Sequence, residues 1–325
     1  MALPSTSNQQ PTSTNEEPSR MSDYLRSNLK WFTNRAAPMQ NTPEGNFFLK
    51  NDEEEVDRTL VHHGAMKMAF GSNFTAPMTD LLQAGARVLD VGYVDNGIIS
   101  ELRLTLTRQL TSGFDVATEY PLSQFTGIDI DSYVLPTSTM PQNTEFECVD
   151  VFSMPYAEGT FDFVYIRAMF TYFREEQWVD ILREIARVTK SGGYIEVQDA
   201  SMIFKDFGPI GTAYAEAFGK VMVANKRNLS HATFLTNVFA TTMRDTFEFV
   251  SKHDVDVPTC HDQELGRQMQ EDFAYLARPL IEMLALQGSD DLTKSIDGIS
   301  FDDAFGEFTT HKTTIGFFSL VAKRL

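Results

Sequence analysis

Short apolar runs, most of them ending on or next to an acid, recur through the first two thirds of the chain. Arg87-Val88-Leu89-Asp90-Val91-Gly92 is the first and Phe125-Thr126-Gly127-Ile128-Asp129-Ile130-Asp131 the second. Thr144–Val149 (ending at Asp150), Phe161-Asp162-Phe163-Val164-Tyr165-Ile166 and Tyr194–Asp199 follow. Each run is too short for a stable helix and reads as a buried strand. Between the last two the period changes. Trp178, Ile181, Leu182, Ile185 and Val188 recur at helical spacing and predict a helix over Glu175–Thr189 with one apolar face. Ser191-Gly192-Gly193 supplies the glycine that a left-handed helix cap prefers. Strands alternating with helices imply crossovers, hence a mainly parallel sheet covered on both faces.

Around this core the pattern is looser. Residues 1–20 are Ser, Thr, Pro, Asn and Gln with almost no large apolar side chains, a composition that cannot offset its ordering entropy. Met21–Asn46 holds scattered aromatics without a sustained period. In Phe47–Pro77, Asn51 or Asp52 predicts a helix N-cap, and the acids after it suit the helix dipole or a solvated first turn. His62 and His63 are adjacent and cannot share one helix face as metal-binding pairs do, so packing or hydrogen bonding is the expectation. Beyond Ala200, Gly211–Lys226 and Asp262–Leu286 read as helices, the second kinked at Pro279, and Thr246–Val257 and Thr313–Ala322 as closing strands.

Composition narrows the classes. The 325 residues carry 45 acids against 27 bases, a formal charge of −18. A field of that sign repels phosphate backbones, so no nucleic-acid partner is expected. No apolar run approaches the ~20 residues that span a bilayer, and the N-terminus lacks a basic-then-apolar leader, so a cytoplasmic or nuclear protein without a membrane partner is expected. Cys148 and Cys260 are the only cysteines; Cys148 falls in a strand expected to be buried, and a thiolate metal site is not expected.

A strand that runs into a glycine turn and a helix presents backbone N–H groups to a ligand above the sheet. Val88-Leu89-Asp90-Val91-Gly92, Gly127-Ile128-Asp129, Asp150 and Phe161-Asp162-Phe163-Val164 together resemble the class I S-adenosylmethionine-dependent methyltransferases. Asn51–Arg58, Phe70–Phe74, Phe170-Thr171-Tyr172-Phe173 and Tyr194-Ile195-Glu196-Val197-Gln198 look like the fungal LaeA-like branch of that class. The likeness covers residues 46–200 well and the remainder loosely. It implies a Rossmann-like doubly wound α/β fold: a mostly parallel seven-stranded sheet, helices on both faces and an N-terminal helical flap. The implied division is a tail over 1–45, a flap over 46–80, a cofactor-binding core over 81–200 and a substrate side over 201–325.

The resemblance also implies roles. Asp90 and Gly92 would line the methionine end of S-adenosylmethionine. Asp129, with Ile130 beside it, would take the ribose hydroxyls, since a carboxylate can accept from both. Asp150 would accept from the adenine amino group, with the Val151 N–H near the ring, and Asn73 and Phe74 would belong to the flap. A turn or capping role is the alternative for each acid. Tyr165, Arg167, Gln198 and Asp199 fall at strand ends, where an open α/β sheet carries its ligands. Tyr165 and Arg167 are the catalytic candidates; Arg167 would orient an anionic acceptor or serve a structural ion pair. Tyr172 and Phe173 would wall the acceptor pocket or pack in the core. His231, His253, His261 and His311 receive no role.

One stretch departs from the family. The compact Gly-x-Gly-x-Gly turn is replaced by Gly92-Tyr93-Val94-Asp95-Asn96-Gly97-Ile98-Ile99, in which Asn96-Gly97 still permits a tight turn and keeps Gly97 a cofactor candidate. The segment is longer than the family's by roughly four helical turns. Either Ile99–Leu110 forms an extended first helix, or Tyr93–Ser112 is a translated intron. The sequence therefore supports two functions. One is a methyltransferase acting on a small-molecule or protein acceptor. The other is a non-catalytic methyltransferase-like protein that binds regulatory partners.

Overall fold

In the computed structural model the described residues are 53–92, 116–130, 141–224, 226–262, 264–270, 272 and 301–325. The expectations for 1–45, Asn51, Asp52, Gly97, Ile99–Leu110 and Pro279 lie outside them. The described residues belong to one compact unit, Phe47–Leu325.

Seven strands form one sheet in the order β3-β2-β1-β4-β5-β7-β6. They are β1 (Arg87–Val91), β2 (Gln124–Asp129), β3 (Thr144–Cys148), β4 (Phe161–Arg167), β5 (Thr189–Lys205), β6 (Phe247–Pro258) and β7 (Thr314–Arg324). β1 to β5 are parallel neighbours, and β7 runs antiparallel between β5 and β6. This is the expected doubly wound, Rossmann-like, mostly parallel sheet. The helices are α1 (Glu53–Phe70), α2 (Thr79–Ala84), α3 (Val116–Glu119), α4 (Trp178–Val188), α5 (Pro209–Ala224), α6 (His231–Asn237) and α7 (Phe301–His311).

The alternation within each central strand sorts side chains onto two faces. Leu89, Val91, Val164, Ile166, Ile195 and Val197 meet the apolar stripe of α4 (Trp178, Ile181, Leu182, Ile185, Val188) in the larger core. Each of these helix residues is at most 1 % exposed, and burying such a side chain contributes about 1.5–3 kcal/mol. Val88, Phe163 and Tyr165 face the other way and pack with α2 and α3 through Leu82, Val116 and Ala117. α1 covers the β6–β7 end of that side, its Ala65 and Met66 against Val257 and Phe317.

Two expectations fail. α4 ends at Val188, where Thr189 turns extended (φ −81°, ψ 134°) and its hydroxyl takes the Ile185 carbonyl at 2.7 Å, so Gly192 is not a helix cap. The glycines serve a bulge instead. Phe161 pairs with Thr189 and Phe163 with Tyr194, so β5 loops out where β4 runs straight. Gly192 takes φ +82°, and a Cβ on Gly193 would stand 2.9 Å from the carbonyl oxygens of Asp162 and Lys190. Cys148 is exposed rather than buried, because β3 is an edge strand with β2 as its one neighbour in the sheet.

Candidate functional site

The parallel register brings three of the proposed acids to one rim of the sheet. Asp90 is fully buried in β1, between Gly127 of β2 and Tyr165 of β4. Asp129 ends β2, half-buried, and its carbonyl accepts from Val149 N–H at 2.8 Å. Asp129 pairs with Cys148, so Asp150 lies two residues beyond on the adjoining edge. Asp150 is exposed and accepts from the Phe152 N–H through Oδ1 at 3.0 Å, a turn-stabilising bond. Val151 packs its side chain into the larger core, whereas Ile130 is 73 % exposed.

Gly92 takes φ +71°, and its N–H donates to the Ile128 carbonyl at 2.9 Å. A Cβ there would stand 2.5 Å from the Met169 sulfur, so the missing side chain makes room for Met169. The sequence assigned that space to a cofactor.

On the face above Asp90 a polar network joins the sheet to the segment between α1 and α2. Glu196, fully buried in β5, accepts from the N–H groups of Thr75 (2.8 and 3.0 Å) and Ala76 (2.9 Å). Gln198 Nε2 (2.6 Å) and Ser319 Oγ (2.8 Å) donate to the same carboxylate, and the Thr75 hydroxyl lies 3.0 Å away. Charge-assisted bonds of this kind contribute about 1.5–3 kcal/mol each against an unpaired alternative.

Arg167, the last residue of β4, is fully buried and donates to His63 Nδ1 (2.7 Å) and the Asn73 carbonyl (2.6 Å). A guanidinium has no acceptor, so His63 Nδ1 carries the lone pair. Arg167 also lies 5.0 Å over the Tyr165 ring. Among the described residues no carboxylate contacts it, so the ion pair that the sequence allowed is not formed there. The Tyr165 hydroxyl lies 3.0 Å from the Asn73 carbonyl and 2.8 Å from Gln198 Oε1. Burial holds the phenol well above its usual pKa, so Tyr165 stays protonated at neutral pH and is no base. Among the described residues, Asn73 Oδ1 and Arg167 Nε are buried without a hydrogen-bond partner. His62 turns elsewhere, its Nδ1 2.9 Å from Asp272.

On the opposite face Asp199 holds the loop that follows β4. Its carboxylate accepts from Phe170 N–H at 2.7 Å and Ala200 N–H at 2.8 Å, while Ala168 takes φ +53°. Burial pushes Asp199 up to about 7. His231 Nε2 lies 3.7 Å away with no hydrogen bond, its ring among Phe170, Trp178 and Phe318, and burial lowers it to about 3. Tyr172 and Phe173 pack against the larger core.

Sequence reasoning missed Glu196 and His231. An acid centred in Tyr194-Ile195-Glu196-Val197 was a usable signal, because a strand covered on both faces must pair it. His231 carried no such signal. Among the described residues no group of three His, Cys, Asp or Glu side chains could hold a metal ion, and no helix is long and apolar enough to cross a membrane.

Residues 110–197 match the model of a family described as a methyltransferase domain, a range that begins after β1. The chain is 27 % identical over 164 residues to the N-methyltransferase sirN of Leptosphaeria maculans, covering 50 % of this chain and 52 % of that protein. It is 27 % identical over 155 residues to the N-methyltransferase verN of Clonostachys rogersoniana, covering 46 % and 49 %. The chain thus spans about half the length of the curated relatives it matches. A cyclopropane-fatty-acyl-phospholipid synthase-like protein from Lactobacillus casei shares the fold, with a TM-score of 0.51 at 15 % identity over 85 % of this chain and 94 % of that one.

Proposed function

We propose that this chain is an S-adenosylmethionine-dependent methyltransferase whose acceptor presents a nitrogen. The observation that carries the reading is the sheet order, which brings Asp90 to one rim with Asp129 and Asp150, the latter two within a stretch that matches a methyltransferase domain. The residues fit the cofactor in kind. Asp129 would take the ribose hydroxyls and Asp150 the adenine amino group through Oδ2, which has no partner among the described residues. Val151 N–H, Ile130, Gly92 and Gly97 would line the remainder, and the buried unpaired atoms of Asn73 and Arg167 lie on the flap side. The sulfonium supplies an activated methyl group, so the protein's part is to position the acceptor and exclude water.

The finer reading is the LaeA-like branch, with a small-molecule or protein acceptor, regulatory protein partners and a cytoplasmic or nuclear location. It rests on the flap and on Phe170–Phe173. The non-catalytic reading is favoured by one feature: Met169 fills the cradle at Gly92.

Titration calorimetry with S-adenosylmethionine separates the two. Binding at micromolar concentration is expected, and Asp129→Ala should weaken it by about 1–3 kcal/mol, the scale of charged hydrogen bonds. Absence of heat with the wild-type protein would favour the non-catalytic reading.

A further inference from the structure

We propose that the loop after β4 is an autoinhibitory plug, with Met169 seated in the cradle at Gly92, and that Asp199 is its latch. The latch is closed while Asp199 holds the Phe170 N–H and opens when its carboxyl turns to His231. The inference rests on the methyltransferase reading above and concerns the regulation of that site: the side chain that counts against cofactor binding is one that can leave.

The plug is set by position. Asp90 pairs with Tyr165 and Val91 with Ile166, so β1 and β4 end side by side, at Gly92 and Arg167. Ala168 then takes φ +53°, a left-handed conformation that strains any residue but glycine. Met169 follows, 7 % exposed, and a Cβ on Gly92 would meet its sulfur at 2.5 Å and its ε-carbon at 2.9 Å. A thioether is a weak acceptor and does not by itself hold a strained turn in place. The hold comes from the next residue, whose N–H donates to Asp199 Oδ2 at 2.7 Å.

That oxygen has a second partner within reach. His231 Nε2 lies 3.7 Å from Oδ2, buried and without a hydrogen bond, while Oδ1 is kept by the Ala200 N–H at 2.8 Å. The two partners require opposite protonation states. An ionised Oδ2 accepts from Phe170; a protonated Oδ2–H donates, and a neutral imidazole offers it the Nε2 lone pair. One proton taken from solvent therefore exchanges the Phe170 bond for the His231 bond and frees the turn at Ala168. Burial keeps His231 neutral, lowered to about 3, and raises Asp199 to about 7, so the exchange falls near neutral pH. Otherwise Asp199 faces its register partner Phe318 on β7 and the uncharged Ala168–Phe170 turn. Among the described residues, His231 is the titratable side chain that stands against it.

Methionine methyl NMR reads the plug with no ligand present. With the methionine ε-methyls isotope-labelled, the Met169 signal, assigned by its loss in Met169→Leu, should shift between about pH 8.5 and about pH 5.5. It should stay at its acid position in Asp199→Asn, whose amide nitrogen in place of Oδ2 donates to His231 but cannot accept from Phe170. It should stay at its alkaline position in His231→Phe, which serves alone if Asp199→Asn does not fold. A wild-type Met169 signal that ignores pH overturns the latch. Calorimetry with S-adenosylmethionine reads the consequence. Met169→Ala should bind about tenfold tighter than the wild type at about pH 8.5 and within about twofold of it at about pH 5.5, as for a protein whose competent state is a minor one until acid releases it. Met169→Leu still fills the cradle and should bind like the wild type. The ligand's own α-amino group titrates in this range, so the comparison is between proteins at each pH. Equal affinities of Met169→Ala and the wild type at both pH values overturn the plug and leave the cofactor reading standing. If neither protein binds at either pH, the cofactor reading fails and the plug with it, whatever the methyl signal does.

Discussion

The two faces of the central sheet are built from the same strands by opposite means. Toward α4, Val91, Ile166, Val197 and Phe318 pack an apolar core in which Asp199 and His231 are an isolated polar pair. Toward the segment between α1 and α2, Asp90, Tyr165, Arg167, Glu196 and Gln198 alternate with those residues and form a buried polar layer. The first face derives stability from area and has no geometric preference. The second derives its stability from charge-assisted bonds, which are directional, and so fixes the segment from Asn73 to Ala76 in one arrangement. A ligand site belongs where position is specified, which is why we place the proposed site toward the polar face.

The largest effect should come from the apolar face. Trp178 is 1 % exposed at the head of α4, and Trp178→Ala should destabilise the fold by about 3–5 kcal/mol in urea unfolding through the lost contacts and the cavity left behind. If that comparison holds, the affinity of the folded fraction for S-adenosylmethionine should not change while Asp199 is ionised, since Trp178 packs into the larger core on the α4 side. A loss of that affinity would show that the faces are coupled through packing.

The next effect isolates the polar pair on that apolar face. Burial raises Asp199 from 3.8 to about 7 and lowers His231 from 6.5 to about 3. A raised carboxyl contributes stability below its unfolded pKa and loses it as pH rises through the folded one. A lowered imidazole contributes above 6.5 and loses stability as pH falls toward 3. Between 3.8 and 6.5 the unfolded chain carries one proton on His231 and the folded chain one on Asp199, so the two slopes cancel. Asp199→Asn should therefore expose a loss of up to about 1.4 kcal/mol per pH unit as pH falls below 6.5. His231→Phe should expose the opposite slope, stability falling as pH rises from 3.8 toward 7. Unfolding curves taken across this range decide it; flat profiles in both variants would mean that neither group is neutral in the folded state.

The same contrast explains what could be read in the chain. The strands toward α4 were legible, because period and apolarity alone define a buried strand and an amphipathic helix, and Trp178 to Val188 announces itself. The polar face was legible only in part. Asp90, Asp129 and Asp150 stood out as acids at strand ends, but Arg167 looked like a substrate contact or an ion pair, and its partners His63 and Asn73 lie about a hundred residues away in sequence. Long-range hydrogen bonds leave no periodic trace. Gly192-Gly193 misled for a related reason: a glycine permits a left-handed turn, and whether that turn caps a helix or bulges a strand depends on β4, which the local sequence does not contain.

The smallest expected effect tests how independent the polar layer is. Gly71 joins α1 to the clamped segment at φ +71°, with no atom within 4 Å of where a Cβ would stand. Gly71→Ala therefore meets only the backbone penalty of a left-handed residue, about 1 kcal/mol. Thr75, Ala76 and Glu196 lie beyond the joint, so amide hydrogen exchange at Thr75 and Ala76 should slow or quicken by no more than that global loss implies. A much larger acceleration confined to these two amides would show that the angle of α1 holds the clamp together. The His63 bond to Arg167 would then be part of what keeps Asn73 in place, and the polar layer would be assembled by α1 rather than by the sheet.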